Sequence, residues 1–262
     1  MSAESFLDLA INMLQDLKNT QLSGIKKAGA LVADSFQSGG ILHIFGTGHS
    51  HMIAEEAYSR AGGVIPVDPM LEGSMMLHEG YGKSSALERL PGIARVFFEY
   101  QDFDVRKNDV AIIVSNSGRN AAPVEMATLF REKGVPVIAI TSLSHSRAVE
   151  SRHSSGKKLY ELADIALDNR GLPGDAALKL EGVPVRACPT STLTGVTILW
   201  SILAEALGIL VSRGEVPPVI MSGNLDEAAD WNRKLRLAAA EKFGERVPSI
   251  RTASAKAKGM ER

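Results

Sequence analysis

"DVAIIVSNSGRNAAPVEMATLFREKGVPVIAITS", Asp109 to Ser142, sets a strand, a hydroxyl-rich loop, a helix and a second strand in one continuous stretch. Val110–Val114 is wholly apolar and mostly β-branched, as a strand buried on both faces of a parallel sheet must be. Ser115, Asn116, Ser117, Gly118 and Asn120 then crowd the end of that strand. Several small donors and a glycine before a helix make an anion nest that carries no full charge. The helical pattern that follows closes on Gly134, a left-handed cap, and "PVIAITS" starts the next strand.

The same texture extends in both directions. "ILHIFG", "VIPVDP" and "ADIALDN" read as further short buried strands, and "HMIAEEAYSRAG" and "TLTGVTILWSILAEALG" as helices between or after them. Alternation of this kind predicts a doubly wound α/β sandwich of flavodoxin-like or Rossmann-like type. Residues 4–37 carry apolar side chains at helical spacing, which predicts one or two leading helices broken near Ser23 and Gly24. The stretch from Met70 to Tyr100 reads as irregular. A charged helix, "LDEAADWNRKLRLAAAEKFGE", and a loose tail are expected from Leu225 on. The resulting organisation is a leading helical segment over 1–38, a core domain over 39–212, and a C-terminal helix and tail over 213–262.

Composition narrows the partners. Among 262 residues, 29 Lys and Arg face 30 Asp and Glu, a formal net charge of −1, so nucleic acid is not expected. The single cysteine, Cys188, excludes a disulfide framework. The opening "MSAESFLDLAINMLQDL" reads as an amphipathic helix rather than a signal peptide. No apolar run is expected to span a bilayer, and the economical reading is a cytoplasmic chain with no membrane partner.

In open parallel sheets, ligands sit at the carboxyl ends of the strands. Besides the Ser115–Asn120 loop, two segments should meet there. "GTGHS", Gly46 to Ser50, offers a Gly-x-Gly turn at a helix start, with Thr47 and Ser50 as hydroxyl donors. A dinucleotide loop is the rival reading, with Asp68 twenty residues beyond Gly48 as a ribose-binding acid. His51 stands where that motif needs its third glycine, which weighs against it. No Gly-Lys-Ser/Thr follows, so a nucleoside-triphosphate loop is excluded. "CPTSTLTG", Cys188 to Gly195, sets Thr190, Ser191, Thr192 and Thr194 before a long apolar helix, where plain helix capping is the competing role. Two adjacent hydroxyl-rich strand ends suit one small phosphate ester better than a dinucleotide.

The three motifs together resemble the SIS (sugar isomerase) domain, over about Gly39 to Leu210, with "SNSG" the most diagnostic part. The layout is most similar to the stand-alone branch that includes phosphoheptose isomerase and N-acetylmuramic acid 6-phosphate etherase. The resemblance implies a three-layer αβα sandwich with a five-stranded parallel sheet, a phosphosugar ligand, and dimers or tetramers. It also implies a phosphate held by Ser115 and Ser117, with Thr47, Ser50 and Thr192 as further donors. Gly46, Gly48, Asn116, Gly118, Asn120 and Ser191 complete the candidate binding set. No cofactor is expected.

Aldose–ketose isomerisation needs a base to move a proton between adjacent carbons and an acid near the carbonyl oxygen. Glu55 and Glu56, one turn into the helix after "GTGHS", are candidates, as are Glu79 and the neighbouring His78 in "LHEGYGKSS". Phosphoheptose isomerases place a Gln-Glu-His cluster in the last helix, where this chain has "GVTILWS". Etherases show Arg-Met-Lys near the segment that here reads "TSTLTG". The function classes left open are a phosphosugar isomerase, an amino-sugar-phosphate etherase or lyase, and a non-catalytic phosphosugar sensor. The remaining polar residues have plainer readings. Glu88 is expected to pair with a neighbouring Arg, and His43 to be a satisfied core histidine. His145 and His153, in the basic stretch "SHSRAVESRHSSGKK", are possible substrate contacts. His49 and His51 have no carboxylate at ligand spacing, so no metal is expected.

Overall fold

The computed structural model describes residues 3–101 and 103–250. The far end of the basic tail, read above as loose, lies outside the described residues. Five parallel strands, β1 (Leu42–Gly46), β2 (Val67–Met70), β3 (Val110–Val114), β4 (Val137–Thr141) and β5 (Ile165–Asp168), stand in the order β2-β1-β3-β4-β5. The central pair is registered Leu42 to Val110 through Gly46 to Val114. The order reverses direction between β1 and β3, so their carboxyl ends open the crevice where such sheets take ligands.

Helices cover both faces. They are α1 (Ala3–Gln37), α2 (His51–Ala57), α3 (Tyr81–Leu87), α4 (Ile93–Tyr100), α5 (Ala121–Glu132), α6 (Leu143–Arg147), α7 (Leu159–Leu162), α8 (Ser191–Ser212) and α9 (Ala228–Phe243). Because side chains alternate along a strand, Leu42, Ile44, Ile112, Val114, Ile138 and Ile140 pack under α1, α2 and α8. Phe45, Ala111, Ile113, Val137 and Ala139 pack under α4 and α5. This is the three-layer sandwich with a five-stranded parallel sheet expected from the sequence.

Three expectations are corrected and one element was not foreseen. The leading segment is one unbroken helix, and Gly24 does not interrupt it. A Cβ at Gly24 would stand 2.7 Å from Leu167 Cδ2, so the small residue serves close packing of α1 on β5. The stretch from Met70 to Tyr100 is ordered into two 3₁₀ turns, Gly73–Met75 and Leu77–Glu79, followed by α3 and α4. A two-stranded antiparallel hairpin, β6 (Ala176–Leu178) with β7 (Ala187–Pro189), precedes α8 and was not anticipated. Finally, α8 is long and apolar enough to cross a membrane by length and composition alone. It packs along α1 and the sheet, which accounts for much of that apolarity.

The amino end of the sheet is closed by the C-terminal segment. Ile41 and Ile65 form a third apolar cluster with Ala239, Phe243, Val247 and Ile250. Beside it lies a buried charge network. His43, fully buried on β1, sets Nδ1 2.8 Å from Asp68 Oδ2 and Nε2 3.1 Å from Asp109 Oδ2. Carboxylate oxygens only accept, so both ring nitrogens must carry protons. Asp109 also accepts the N–H groups of Arg106 at 2.7 Å and Ile41 at 2.9 Å, and the Arg246 guanidinium. Burial alone would lower the His43 pKa, but the hydrogen bonds and charges of Asp109 and Asp68 outweigh it and hold it above the ordinary 6.5. Burial works against Asp109 too, yet His43 and the backbone donors keep it below the ordinary 3.8.

A raised His43 stabilises the fold fully below pH 6.5, and that contribution is lost as pH climbs through its folded value. A depressed Asp109 contributes above pH 3.8 and is lost as pH falls. Urea unfolding across this range should therefore show stability declining on the alkaline side of 6.5, with the decline absent in His43→Gln. A wild type that gains stability from neutral to alkaline pH would contradict the doubly protonated ring.

Candidate functional site

The carboxyl ends of β1 and β3 and the start of α8 meet at one place. A small pocket there is lined by His49, Ser50, Ile53, Val114, Asn116, Asn169, Ser191 and Thr192. Gly46 ends β1, and Gly48 opens the 3₁₀ turn Gly48–Ser50 that leads into α2. Ser50, Asn116, Ser191 and Thr192 are thereby brought together from three separate segments.

The Ser115–Asn120 loop is built by its own polar groups. Ser115 Oγ accepts the Gly118 N–H at 3.2 Å. The Asn116 carbonyl accepts from Ser142 N–H and the Thr141 hydroxyl, tying the loop to the end of β4. Its side chain accepts from Asn169 Nδ2 at 3.0 Å, tying it to the end of β5. Gly118 holds φ at +59°, and a Cβ there would meet Ser146, Leu159 and Thr141 within 3.3 Å. Asn120, the N-cap of α5, makes no cap bond with its side chain. Instead Nδ2 donates to Glu88 Oε1 at 2.8 Å, and Oδ1 accepts from Arg152 Nη1 at 2.9 Å.

Glu88 joins the two phosphate-type loops. Its Oε2 accepts the Thr47 hydroxyl at 2.8 Å and its backbone carbonyl accepts the Ala122 N–H at 3.0 Å. The expected pairing of Glu88 with a neighbouring Arg is corrected: Arg89 turns to Ser85. At the start of α8, Ser191 N–H and Oγ donate to Asp175, just before β6, at 2.9 and 2.6 Å. Among the named donors, then, Thr47, Ser115 and Ser191 are engaged within the protein. Ser50, Ser117 and Thr192 make no side-chain hydrogen bond among the described residues.

The candidate acid–base residues are placed as follows. Glu55 on α2 is 48% exposed in its side chain, and His51 Nε2 stands 3.5 Å away. Glu56 accepts from Trp200 Nε1 at 3.0 Å and pairs with Arg60. Glu79 pairs with Lys83 at 3.2 Å with its side chain half exposed, and His78 beside it is exposed. Among the described residues, no hydrogen bond or ion pair ties Glu79 or His78 to the phosphate-type loops. No group of three His, Cys, Asp or Glu among the described residues is arranged to hold a metal.

Sequence reading missed the joining role of Glu88, and Asn169 and Asp175 altogether. Asn169 directly follows β5, so the strand-end rule that found the other loops applied to it equally. Asp175 directly precedes the unanticipated hairpin.

The SIS domain family matches this chain over residues 5–142. The chain belongs to that family. The match begins inside α1 and ends at the close of β4. Near relatives share the whole length: a UPF0309 protein of Listeria innocua is 43% identical over 246 residues, 94% of this chain and 97% of that protein. A UPF0309 protein of Halalkalibacterium halodurans is also 43% identical, over 94% of this chain and 96% of its own. In three dimensions the SIS fold is similar to that of phosphoheptose isomerase GmhA from Neisseria gonorrhoeae, with a TM-score of 0.50 at 18% identity over 79% of this chain and 95% of that one. A phosphoheptose isomerase from Francisella tularensis gives 0.52 at 14% identity, over 78% and 95%. At such identities the likeness is one of fold.

Gly118→Ala should cost about 1–2 kcal/mol for the left-handed backbone alone, and the contacts at Ser146, Leu159 and Thr141 add to it. Denaturant unfolding measures the loss, and an unchanged midpoint would show that the loop does not need this conformation.

Proposed function

We propose that the chain binds a phosphorylated sugar at the carboxyl edge of its sheet and interconverts its aldose and ketose forms. The observation that carries this reading is the convergence of Ser50, Asn116, Ser191 and Thr192 on one pocket, with the Ser50 and Thr192 hydroxyls unengaged. Hydroxyls and backbone N–H groups at helix N-termini are suited to a phosphate, and the fold likeness to phosphoheptose isomerases points the same way.

In this reading Ser117, Ser50 and Thr192 donate to the phosphate, while Thr47, Ser115, Gly118 and Ser191 shape the loops that present them. Gly46, Gly48, Asn116 and Asn120 complete the binding set. Glu55 is the favoured base among Glu55, Glu56 and Glu79, because the other two are held by Arg60 and Trp200 or by Lys83. It would take the proton from the carbon next to the carbonyl and return it to the adjacent carbon. His78 remains the candidate acid. The engagement of Glu56, Glu79 and Glu88 in fixed pairs favours a second reading, a non-catalytic phosphosugar sensor; elimination from an amino-sugar phosphate is the third. The stripe of Leu7 and Ile11 on α1, 61% and 63% exposed, supports association into homodimers or tetramers.

Thermal-shift screening against phosphorylated aldoses, ketoses and amino sugars, followed by product analysis, separates these readings. A stabilising sugar phosphate converted to its isomer supports the isomerase, one recovered unchanged the sensor, and one that loses a substituent the lyase. Hydrogen bonds to a charged group contribute roughly 1.5–3 kcal/mol. Ser117→Ala and Thr192→Ala should each therefore weaken binding at least tenfold, whereas Glu55→Gln should stop turnover with affinity retained. If no sugar phosphate binds and a nicotinamide dinucleotide does, the reading of the loops is wrong.

A further inference from the structure

The groups proposed to grip the phosphate are uncharged, yet cations gather immediately beside them. Arg119 lies inside the Ser115–Asn120 loop, between Gly118 and Asn120. Arg152 is fastened to the same loop: its N–H donates to the Arg119 carbonyl at 2.8 Å, and Nη1 donates to Asn120 Oδ1 at 2.9 Å. His145 stands on α6, whose start is capped by Ser142 Oγ accepting the His145 N–H at 3.1 Å.

These side chains differ in how far the fold employs them. Arg152 has a structural task in holding Asn120. The Arg119 side chain makes no ion pair among the described residues, and its Nε is buried without a hydrogen-bond partner. His145 Nδ1 is likewise buried and unpartnered, as are the hydroxyls of Ser146 and Thr190, both fully buried side chains. Ser146 Oγ stands only 3.2 Å from where a Cβ on Gly118 would be, so this idle hydroxyl borders the loop itself. Buried polar atoms without partners are uncommon and costly in folded proteins.

The cations also act on one another. Burial and the Arg119 charge push the His145 pKa down, while Asp175 opposes them. Burial, Arg119 and Arg89 push Arg152 down, with Glu88 opposing. Burial is the larger cause in each case, and the neighbouring cations add to it. Glu88 already accepts from Thr47 and Asn120, and Asp175 already accepts from Ser191. His145 is joined to the Ser115–Asn120 loop through Ser142, whose N–H donates to the Asn116 carbonyl at 3.0 Å and whose Oγ accepts the His145 N–H at 3.1 Å.

We infer that the ligand carries a second anionic group besides its phosphate, a carboxylate or another phosphate, and that Arg119, Arg152 and His145 receive it beside the Ser115–Asn120 loop. This rests on the phosphosugar reading and narrows its substrate class to acidic or doubly phosphorylated sugars. Arg119 is the principal recognition group, since no other interaction occupies its guanidinium.

The test is calorimetric titration of the full chain with pairs that differ in the second anion. Suitable pairs are glucose 6-phosphate with 6-phosphogluconate, fructose 6-phosphate with fructose 1,6-bisphosphate, and glycerol 3-phosphate with 3-phosphoglycerate. In at least one pair the wild type should bind the second-anion member at least tenfold tighter. The pair showing the gap tells a carboxylate from a second phosphate. Arg119→Gln should remove the gap while changing affinity for the monophosphate member less than twofold, and Arg119→Lys should keep part of it. An unchanged melting temperature confirms that the variants fold. The inference is overturned if no pair shows the gap, or if Arg119→Gln weakens both members equally. The phosphosugar reading survives that result when the monophosphates bind, and fails separately when none of the six compounds does.

Discussion

A parallel sheet with helices on both faces has no wet side, and this constraint organises the whole molecule. Every residue of β1, β3 and β4 is buried. A polar side chain inside such a strand must therefore bring its partners with it. His43 is the instance in β1, and its partners arrive from the neighbouring strand β2, as Asp68, and from the residue that opens β3, as Asp109. An isolated buried charge carries a penalty of several kcal/mol, and removing one member of a buried set leaves the others uncompensated. The network consequently fixes more than a ring: through Asp109 it holds Arg246 and thereby the C-terminal segment that closes the amino end of the sheet. With that end occupied by a charged structural lock, polar chemistry has only the carboxyl end available.

The same constraint explains which parts were legible in the sequence. β3, and β4 up to its closing Thr141, are unbroken apolar runs buried throughout, and β1, β2 and β5 are short apolar runs carrying a polar residue, so all five were visible, as was the alternation that gives the sandwich. The short helices of the Met70–Tyr100 excursion and the β6–β7 hairpin were not. A helix of seven or eight residues shows barely two turns of amphipathic pattern, and its existence depends on what it covers. Gly24 misled for a related reason: a helix-breaking propensity of roughly 1 kcal/mol yields to close packing against Leu167, a contact no local pattern reports. At the site, strand-end position and small donors picked out the loops that meet around the pocket. Glu88 escaped because its partner Thr47 lies 41 residues away in sequence, so only the fold makes them neighbours.

The hydroxyls at the carboxyl end divide into two kinds. Thr47, Ser115 and Ser191 are held by Glu88, the Gly118 N–H and Asp175. These bonds set the shape of the loops before any ligand arrives. Ser50 and Thr192, each in the same pocket, have no such engagement. A site whose frame is already hydrogen-bonded loses less conformational freedom on binding, and that preorganisation raises affinity without further contacts. The identical residue types read off the sequence as one set of donors thus do two jobs, and only their partners tell the jobs apart.

A grip made of hydroxyls and backbone N–H groups recognises a phosphate but says nothing about what the phosphate is attached to. Selection among phosphate esters must come from the walls around it. There the magnitudes favour charge: two unit charges 4 Å apart interact by roughly 4 kcal/mol at the effective dielectric of a protein surface. One hydrogen bond from a loop hydroxyl to a charged phosphate contributes about 1.5–3 kcal/mol. A single unpaired guanidinium such as Arg119 therefore outweighs any one hydroxyl of the loops in deciding which ligand is preferred. Its position within the loop, rather than across the pocket, would let it read a group adjoining the phosphate without disturbing the neutral grip. Selectivity and phosphate binding would then reside on one segment, Ser115 to Asn120, whose backbone conformation is fixed by Gly118 and whose far end is fixed by Glu88 and Arg152.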